Sequence, residues 1–414
     1  MPVGMRGGKL AVVLVLVVWA AAISGCGSSS GGGGNTVNWY VFNEPGGGYE
    51  GAVKTCNAKA QGKYKINYVR LPTDANAQRE LVVRRLAAKD SDIDVIGMDV
   101  VWTAEFAEAG WIKPWTGARK AEATKGKVEG PLKTVQYKGQ VWAIPFTTNT
   151  QLLWYRKDIV KSPPATWDQM IDDAHKRKKS VEVQGNQYEG LTVWANSLIA
   201  GAGGSIVDQN GDVKVDDTTS RAAEVMQKLA KEAAPPGMAT NKEDEARLGF
   251  ESGRSDYEVN YSFIYPSAAD VSKDFQKKIG WARYPRTDPD KPSRPPIGGI
   301  NLGIGAYSKH PALAYDAATC LASPENQVVA AEKGGLPPTT TSVYDDPKVK
   351  KAFPFADLIL ESIKNGAPRP VNPAYSDISL AIQKTFHPPG SLAPGDAQSK
   401  LKDRIDKAAQ GKIF

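Results

Sequence analysis

The chain has 414 residues, 41% of them hydrophobic and 23% charged, with a formal net charge of +7; this length allows two domains and a sizeable core. The three histidines, His175, His310 and His387, stand apart from one another and from the cysteines, which argues against a metal centre, and nothing indicates a cofactor. So small a basic excess, with no interleaving of basic and aromatic residues, argues against nucleic acid. The run Lys176-Arg177-Lys178-Lys179 reads as a solvated helix face.

In chain order, Arg6 and Lys9 precede an uncharged apolar stretch over residues 10–23, the layout of a secretory signal. As a helix the stretch would reach roughly 21 Å, short of the ~30 Å hydrocarbon core. Ile23-Ser24-Gly25-Cys26 then looks like a bacterial lipobox, with a signal over 1–25 and Cys26 lipidated after cleavage. The alternative is an uncleaved anchor with an incidental cysteine. Residues 26–35 form a Gly/Ser tether of the flexible-coil type. Removing the signal lowers the net charge to +5 and leaves Cys56 and Cys320 as an even pair. In an exported protein that pair argues for one disulfide, or else for two buried thiols. No later apolar run is long enough to span a bilayer, so the body reads as soluble.

From residue 37 onward strand and helix patterns alternate. Strands are expected over 37–42, 64–71 and 93–97, and helices over 49–60, 76–89 and 102–109, with Gly46-Gly47-Gly48 as a turn. Such units predict a mostly parallel sheet. The alternation restarts after strands over 141–146 and 151–155. Helices follow over 167–178 and 218–233, with candidate strands over 190–193 and 257–259. A Gly-rich strand over 297–304 precedes a helical C-terminal part. Two α/β sheets in one chain suggest two lobes, and clefts between domains are favoured ligand sites.

Several motifs carry a family resemblance. They are Asp92-Ile93-Asp94-Val95-Ile96-Gly97-Met98-Asp99 with Trp102, Glu105-Phe106-Ala107 and Gly110-Trp111-Ile112; then Ile144-Pro145, Thr148-Asn149-Thr150 and Tyr155-Arg156-Lys157-Asp158. Further ones are Pro164 with Thr166-Trp167, the stretch from Glu243 to Tyr261, Gly298-Gly299, Gly334-Gly335-Leu336-Pro337-Pro338-Thr339, and Arg369-Pro370 with Tyr375. Together they cover nearly the whole chain after Cys26, and it resembles the extracellular sugar-binding proteins of ABC importers, the maltose/trehalose group. The resemblance implies an α/β, two-lobed periplasmic-binding-protein-like fold with discontinuous lobes, a hinge and an interlobe cleft. It places the first lobe at 36–148 plus 297–340 and the second at 149–296 plus 341–414. The implied function is that of a monomeric, lipid-anchored receptor on the outer face of the cell membrane. It would deliver a disaccharide, trehalose first and a maltose-like or other glycoside second, to an ABC permease and its ATPase.

A neutral disaccharide offers hydroxyls and weakly apolar C–H faces, so its receptor needs carboxylates, amides, a guanidinium fork and aromatic faces. The resemblance assigns these roles to Asn43, Glu44, Asp99, Asn149, Glu243, Tyr261, Gly299 and Arg369. Plainer readings stand beside them. Glu44 is a turn acid, Asp99 a helix cap, Asn149 a turn residue, Tyr261 core, Gly299 a packing glycine and Arg369 a surface ion pair. Glu243 is a first-turn helix acid, with Glu245 as the contact. Asp99, Asn149 and Arg369 are expected to be solvated cleft groups whose loss weakens binding and spares folding. Trp102 and Tyr375 read as core. Where many relatives carry aromatics, this chain has Ile300 and Tyr261, which reduces the stacking surface. A rival reading is a surface glycoside hydrolase using Glu44 and Asp99, although no spacing selects a pair. A phosphate receptor would rest on the Gly46-Gly47-Gly48 turn alone.

Overall fold

The structure, a computed structural model, describes residues 35–208 and 212–409. The signal, Cys26 and all of the tether except Asn35 lie outside the described residues. Among the described residues no helix is long and apolar enough to cross a membrane.

Two sheets organise the fold. In the first, β1 (Thr36–Phe42), β2 (Lys65–Leu71) and β3 (Val95–Asp99) are linked by α1 (Gly48–Lys59) and α2 (Ala75–Ala87). These three strands are parallel, with β1 in the middle. The chain then adds β4 (Ala143–Asn149) and leaves for a second sheet made of β5 (Leu152–Arg156), β6 (Ser180–Glu182), β7 (Ser255–Asn260) and β8 (Ile279–Ala282). Its helices include α3 (Trp167–Lys176), α4 (Glu189–Gly201), α5 (Thr218–Glu232) and α6 (Glu243–Glu251). Strand β9 (Pro296–Gly305) returns to the first sheet, antiparallel to both β3 and β4. Helices α7 (Pro311–Leu321) and α8 (Pro324–Gly334) follow, and α9 (Tyr375–Phe386) lies near the C-terminus.

The sheets are mixed, which corrects the expectation of mostly parallel pairing. A βαβ unit brings the chain back in the same direction, but a strand that arrives from the other sheet can enter reversed. That is the case for β9, and in the second sheet β5 runs antiparallel to both β7 and β8, leaving only β6 and β7 parallel. The short strand Ala367–Pro368 pairs in parallel with the start of β9, so part of the 341–414 segment touches the first sheet.

A second correction concerns residues 190–193, which belong to α4 and not to a strand. Eleven of the thirteen residues of α4 are buried. A helix buried all round carries no polar stripe, and its short apolar run Leu191-Thr192-Val193-Trp194 imitates a strand.

Each sheet has its own core. Behind β1, Trp39 stacks on Tyr68 at 5.4 Å, and Tyr49 and Phe146 pack against it at 5.1 and 5.9 Å. Trp167, Trp194 and Tyr284 form the aromatic centre of the second core. A Cys56–Cys320 disulfide ties α1 to α7, with Cα atoms 5.9 Å apart.

Candidate functional site

A cavity of about 540 Å³ opens between the carboxyl ends of the first sheet's strands and the starts of α4 and α6. That volume suits a ligand the size of a small oligosaccharide. The first sheet contributes Asp99 from the end of β3, Thr147 and Asn149 from β4, and Gly298-Gly299-Ile300 from β9. Phe42, Tyr49, Asp74 and Gln78 complete that wall. The opposite wall is Tyr188 and Glu189 at the start of α4, Lys242 through Glu245 at the start of α6, and Tyr261 just past β7. Arg369 closes the floor.

Arg369 is 5% exposed, not solvated as expected. One guanidinium nitrogen donates to Asp99 Oδ1 at 2.8 Å and another to Glu189 Oε1 at 2.5 Å. Burial opposes the charge, but Asp99, Tyr375 and Glu189 outweigh it and hold the guanidinium well above its ordinary pKa. Glu189 is itself fixed by the Tyr375 hydroxyl and by Ser379 Oγ at 2.6 Å. The triad therefore joins the end of a first-sheet strand to a second-sheet helix. Asp99 also accepts from Val101 N at 3.2 Å, so it caps the short turn over Val100–Trp102 as well. Both of its bonds fall on Oδ1, which leaves Oδ2 to accept from a ligand.

Asn149 and the glycine pair are built together. Asn149 sits opposite Gly298 in the ladder, and a Cβ at Gly298 would lie 2.1 Å from Asn149 Oδ1. Gly299 has φ +133° and a Cβ there would meet the Thr147 carbonyl at 2.2 Å, so glycine is required by the backbone. Asn149 Oδ1 and Arg369 Nε are buried with no protein partner among the described residues. Each lies on a residue that lines the cavity, and buried polar atoms normally have partners.

On the far wall, burial pushes the Glu243 carboxyl up. Glu245 is spent locally, because its Oε2 accepts from Lys242 N at 2.9 Å and closes the first turn of α6. Lys242 reaches Asp74, the N-cap of α2, at 3.8 Å and lies 5.2 Å from the Tyr188 ring centre. Tyr261 is half-buried, and burial followed by Glu243 raises its hydroxyl pKa.

The cavity thus gathers six of the eight assigned residues: Asp99, Asn149, Glu243, Tyr261, Gly299 and Arg369. Asn43 and Glu44 are not among its lining. Asn43 is exposed, and the Glu44 carboxylate accepts from Gly46 N at 2.5 Å, Gly48 N at 2.7 Å and Tyr49 N at 3.3 Å. The Gly46-Gly47-Gly48 turn is accordingly an amide nest filled by the protein's own carboxylate, which removes the one hint of a phosphate site. Trp102 stacks on Phe106 and is core, as read from sequence. Glu189 and Tyr188 were missed because the stretch was read as a strand. An acid directly before an apolar run is a helix-start signal that would have suggested them.

Chemically, the lining holds the acids Asp74, Asp99, Glu189, Glu243, Asp244 and Glu245 against the cations Lys242 and Arg369. Such a surface repels anions and is rich in acceptors for hydroxyl groups.

Comparison with known proteins agrees with this architecture. A model of the bacterial extracellular solute-binding protein family matches residues 41–328. A probable ABC transporter-binding protein of Deinococcus radiodurans is 29% identical, the match covering 96% of this chain and 98% of that one. A diacetylchitobiose-binding protein of Streptomyces coelicolor is 22% identical, again covering 96% and 98%. Among solved structures, maltose-bound MalE3 of T. maritima superimposes with a TM-score of 0.80 at 24% identity, covering 91% of this chain and all of that one. It shares the two-lobed fold. The chain belongs to the bacterial extracellular solute-binding protein family, whose members bind solutes and are not enzymes.

Proposed function

We propose that the protein is a lipid-anchored receptor that captures a neutral disaccharide, trehalose first and a maltose-like glycoside second, and passes it to an ABC permease. The observation that carries this is the cavity lining: acceptor-rich walls, one guanidinium, the unpaired Asn149 Oδ1 and Arg369 Nε, and four aromatic rings from Phe42, Tyr49, Tyr188 and Tyr261. A disaccharide supplies hydroxyls for the first three and C–H faces for the rings. Relatives lend support, since they include a maltose-bound protein, a maltotriose-binding protein and a diacetylchitobiose-binding protein. Cys26 carries the lipid, and the lobes, 36–148 plus 297–340 and 149–296 plus 341–414, close on the sugar by a hinge motion.

Calorimetric titration with trehalose, maltose and a sugar phosphate tests the reading. Trehalose binding is expected in the micromolar range, about −8.2 kcal/mol. Asn149→Ala and Asp99→Ala should each weaken it about tenfold to a hundredfold, because a lost partner costs ~1–3 kcal/mol. Normal folding with unchanged sugar affinity in both variants would refute the site. Preference for the sugar phosphate would refute the ligand class.

A further inference from the structure

We infer that Glu182 and Glu258 hold one proton between them, and that this acid pair positions the far wall of the cleft through Asn260. The two glutamates face each other at one register of the parallel pair β6 and β7, and both are 0% exposed. Glu182 Oε1 accepts from Arg254 Nε at 2.9 Å and from Ser255 Oγ at 2.6 Å. Glu258 Oε1 accepts from Asn260 Nδ2 at 2.7 Å. The Oε2 atom of each is buried without a donor.

Two ionised carboxylates side by side in a dry interior repel each other and are costly to desolvate. The charged groups facing them cannot neutralise both. Arg254 serves Glu182, while Arg247 on α6 is engaged by Glu251 at 2.6 Å and Asp244 at 3.2 Å. Glu251 itself adds negative charge. One proton on Glu258 Oε2, donated to Glu182 Oε2, satisfies both orphan oxygens and leaves the pair with a single charge that Arg254 balances. Burial, the leading cause, raises the pKa of both acids, and Glu182 and Glu251 raise Glu258 further.

The pair reaches the cavity through one side chain. Asn260 Nδ2, held by Glu258, also donates to the Glu243 carbonyl at 3.0 Å, and Asn260 Oδ1 accepts from Tyr261 N at 2.9 Å. Glu243 and Tyr261 both line the cavity. Ionising Glu258 pushes it from Glu182 and loosens that knot, so Glu258 acts on the ligand as a positioning residue.

This rests on the sugar-binding reading, and the test separates the two. Infrared spectra of the ligand-free protein at neutral pH should contain a protonated-carboxyl stretch that Glu258→Gln removes. Its absence from the parent would overturn the shared proton whether or not any sugar binds. Titrating trehalose from neutral to alkaline pH should show the parent losing about tenfold in affinity as the pair ionises. Glu258→Gln, whose amide donates to Glu182 as the acid does, should keep the neutral-pH affinity and stay flat. Glu258→Leu, which abandons Asn260, should lose about tenfold already at neutral pH. A decline in Glu258→Gln parallel to the parent's would overturn the positioning role.

Discussion

Two cations, Arg369 buried and Lys127 half-buried, stand where the chain passes between the sheets, and they have met opposite fates. Arg369, on the cleft floor, lies between Asp99 and Glu189, and its charge is held firmly. Lys127, behind β4, has no carboxylate among its ion-pair partners in the described residues. Its Nζ donates to the Pro145 carbonyl at 2.9 Å, to Thr339 and Thr340 Oγ1 at 3.2 Å each, and to the Ala322 carbonyl at 3.4 Å. Burial pulls its pKa down to about 7. Burial alone therefore does not decide whether a cation persists inside this protein; the supply of anions does. The paired guanidinium keeps a charge where a ligand can use it. The unpaired ammonium is a strut, joining β4, the end of α7 and the strand-like residues 339–340 by hydrogen bonds to neutral oxygens.

The comparison is broken most directly at Arg369. Arg369→Met leaves Asp99 and Glu189 facing each other with no cation between them, and removing one member of a buried ion pair costs about 3–5 kcal/mol. Urea unfolding should show a midpoint shift of that size together with loss of sugar binding. An unshifted midpoint would mean that the triad is as solvated as the sequence alone suggests. Glu189→Gln keeps the shape and removes one anion. It should cost about 1.5–3 kcal/mol, the worth of a hydrogen bond to a charged group. Lys127→Met removes the strut without stranding any charge, so its cost at neutral pH should be smaller, about 1–2 kcal/mol, and sugar affinity should not change. A Lys127→Met loss as large as that of Arg369→Met would erase the distinction between the two sites.

The periodic elements of the first sheet were legible where a strand has a polar or glycine-rich exit and a helix a capping side chain. Asp74, for instance, accepts from Ala77 N at 3.0 Å at the start of α2. Six residues that line the cavity were legible through motifs. The remainder depends on distance. Arg369 reads as solvated in sequence because its two carboxylates stand 270 and 180 positions away, and no local pattern announces them. Glu44 was legible as an acid at a strand end, but only the path of the following turn shows that three backbone amides consume it. The Glu182–Glu258 register needed a parallel pairing between strands separated by more than 70 residues.

The effect most specific to the comparison lies in the pH dependence. In the unfolded chain Lys127 titrates near 10.5, whereas in the fold it titrates near 7. Between those values the unfolded state binds more protons than the folded one, so raising the pH favours folding. Below pH 7 the lysine is protonated in both states and contributes no slope. The parent should therefore gain stability relative to Lys127→Met as pH climbs from 7 toward 10.5, by at most about 1.4 kcal/mol per pH unit and by less if water reaches the ammonium. Other titrations are shared by both proteins and cancel in the difference. The parent and Arg369→Met should show no such divergence, because the arginine stays charged throughout that window. Urea midpoints for the three proteins across the window decide the point. Parallel curves for the parent and Lys127→Met would show that Lys127 keeps its proton in the fold as Arg369 does, and the contrast between the two cations would fall.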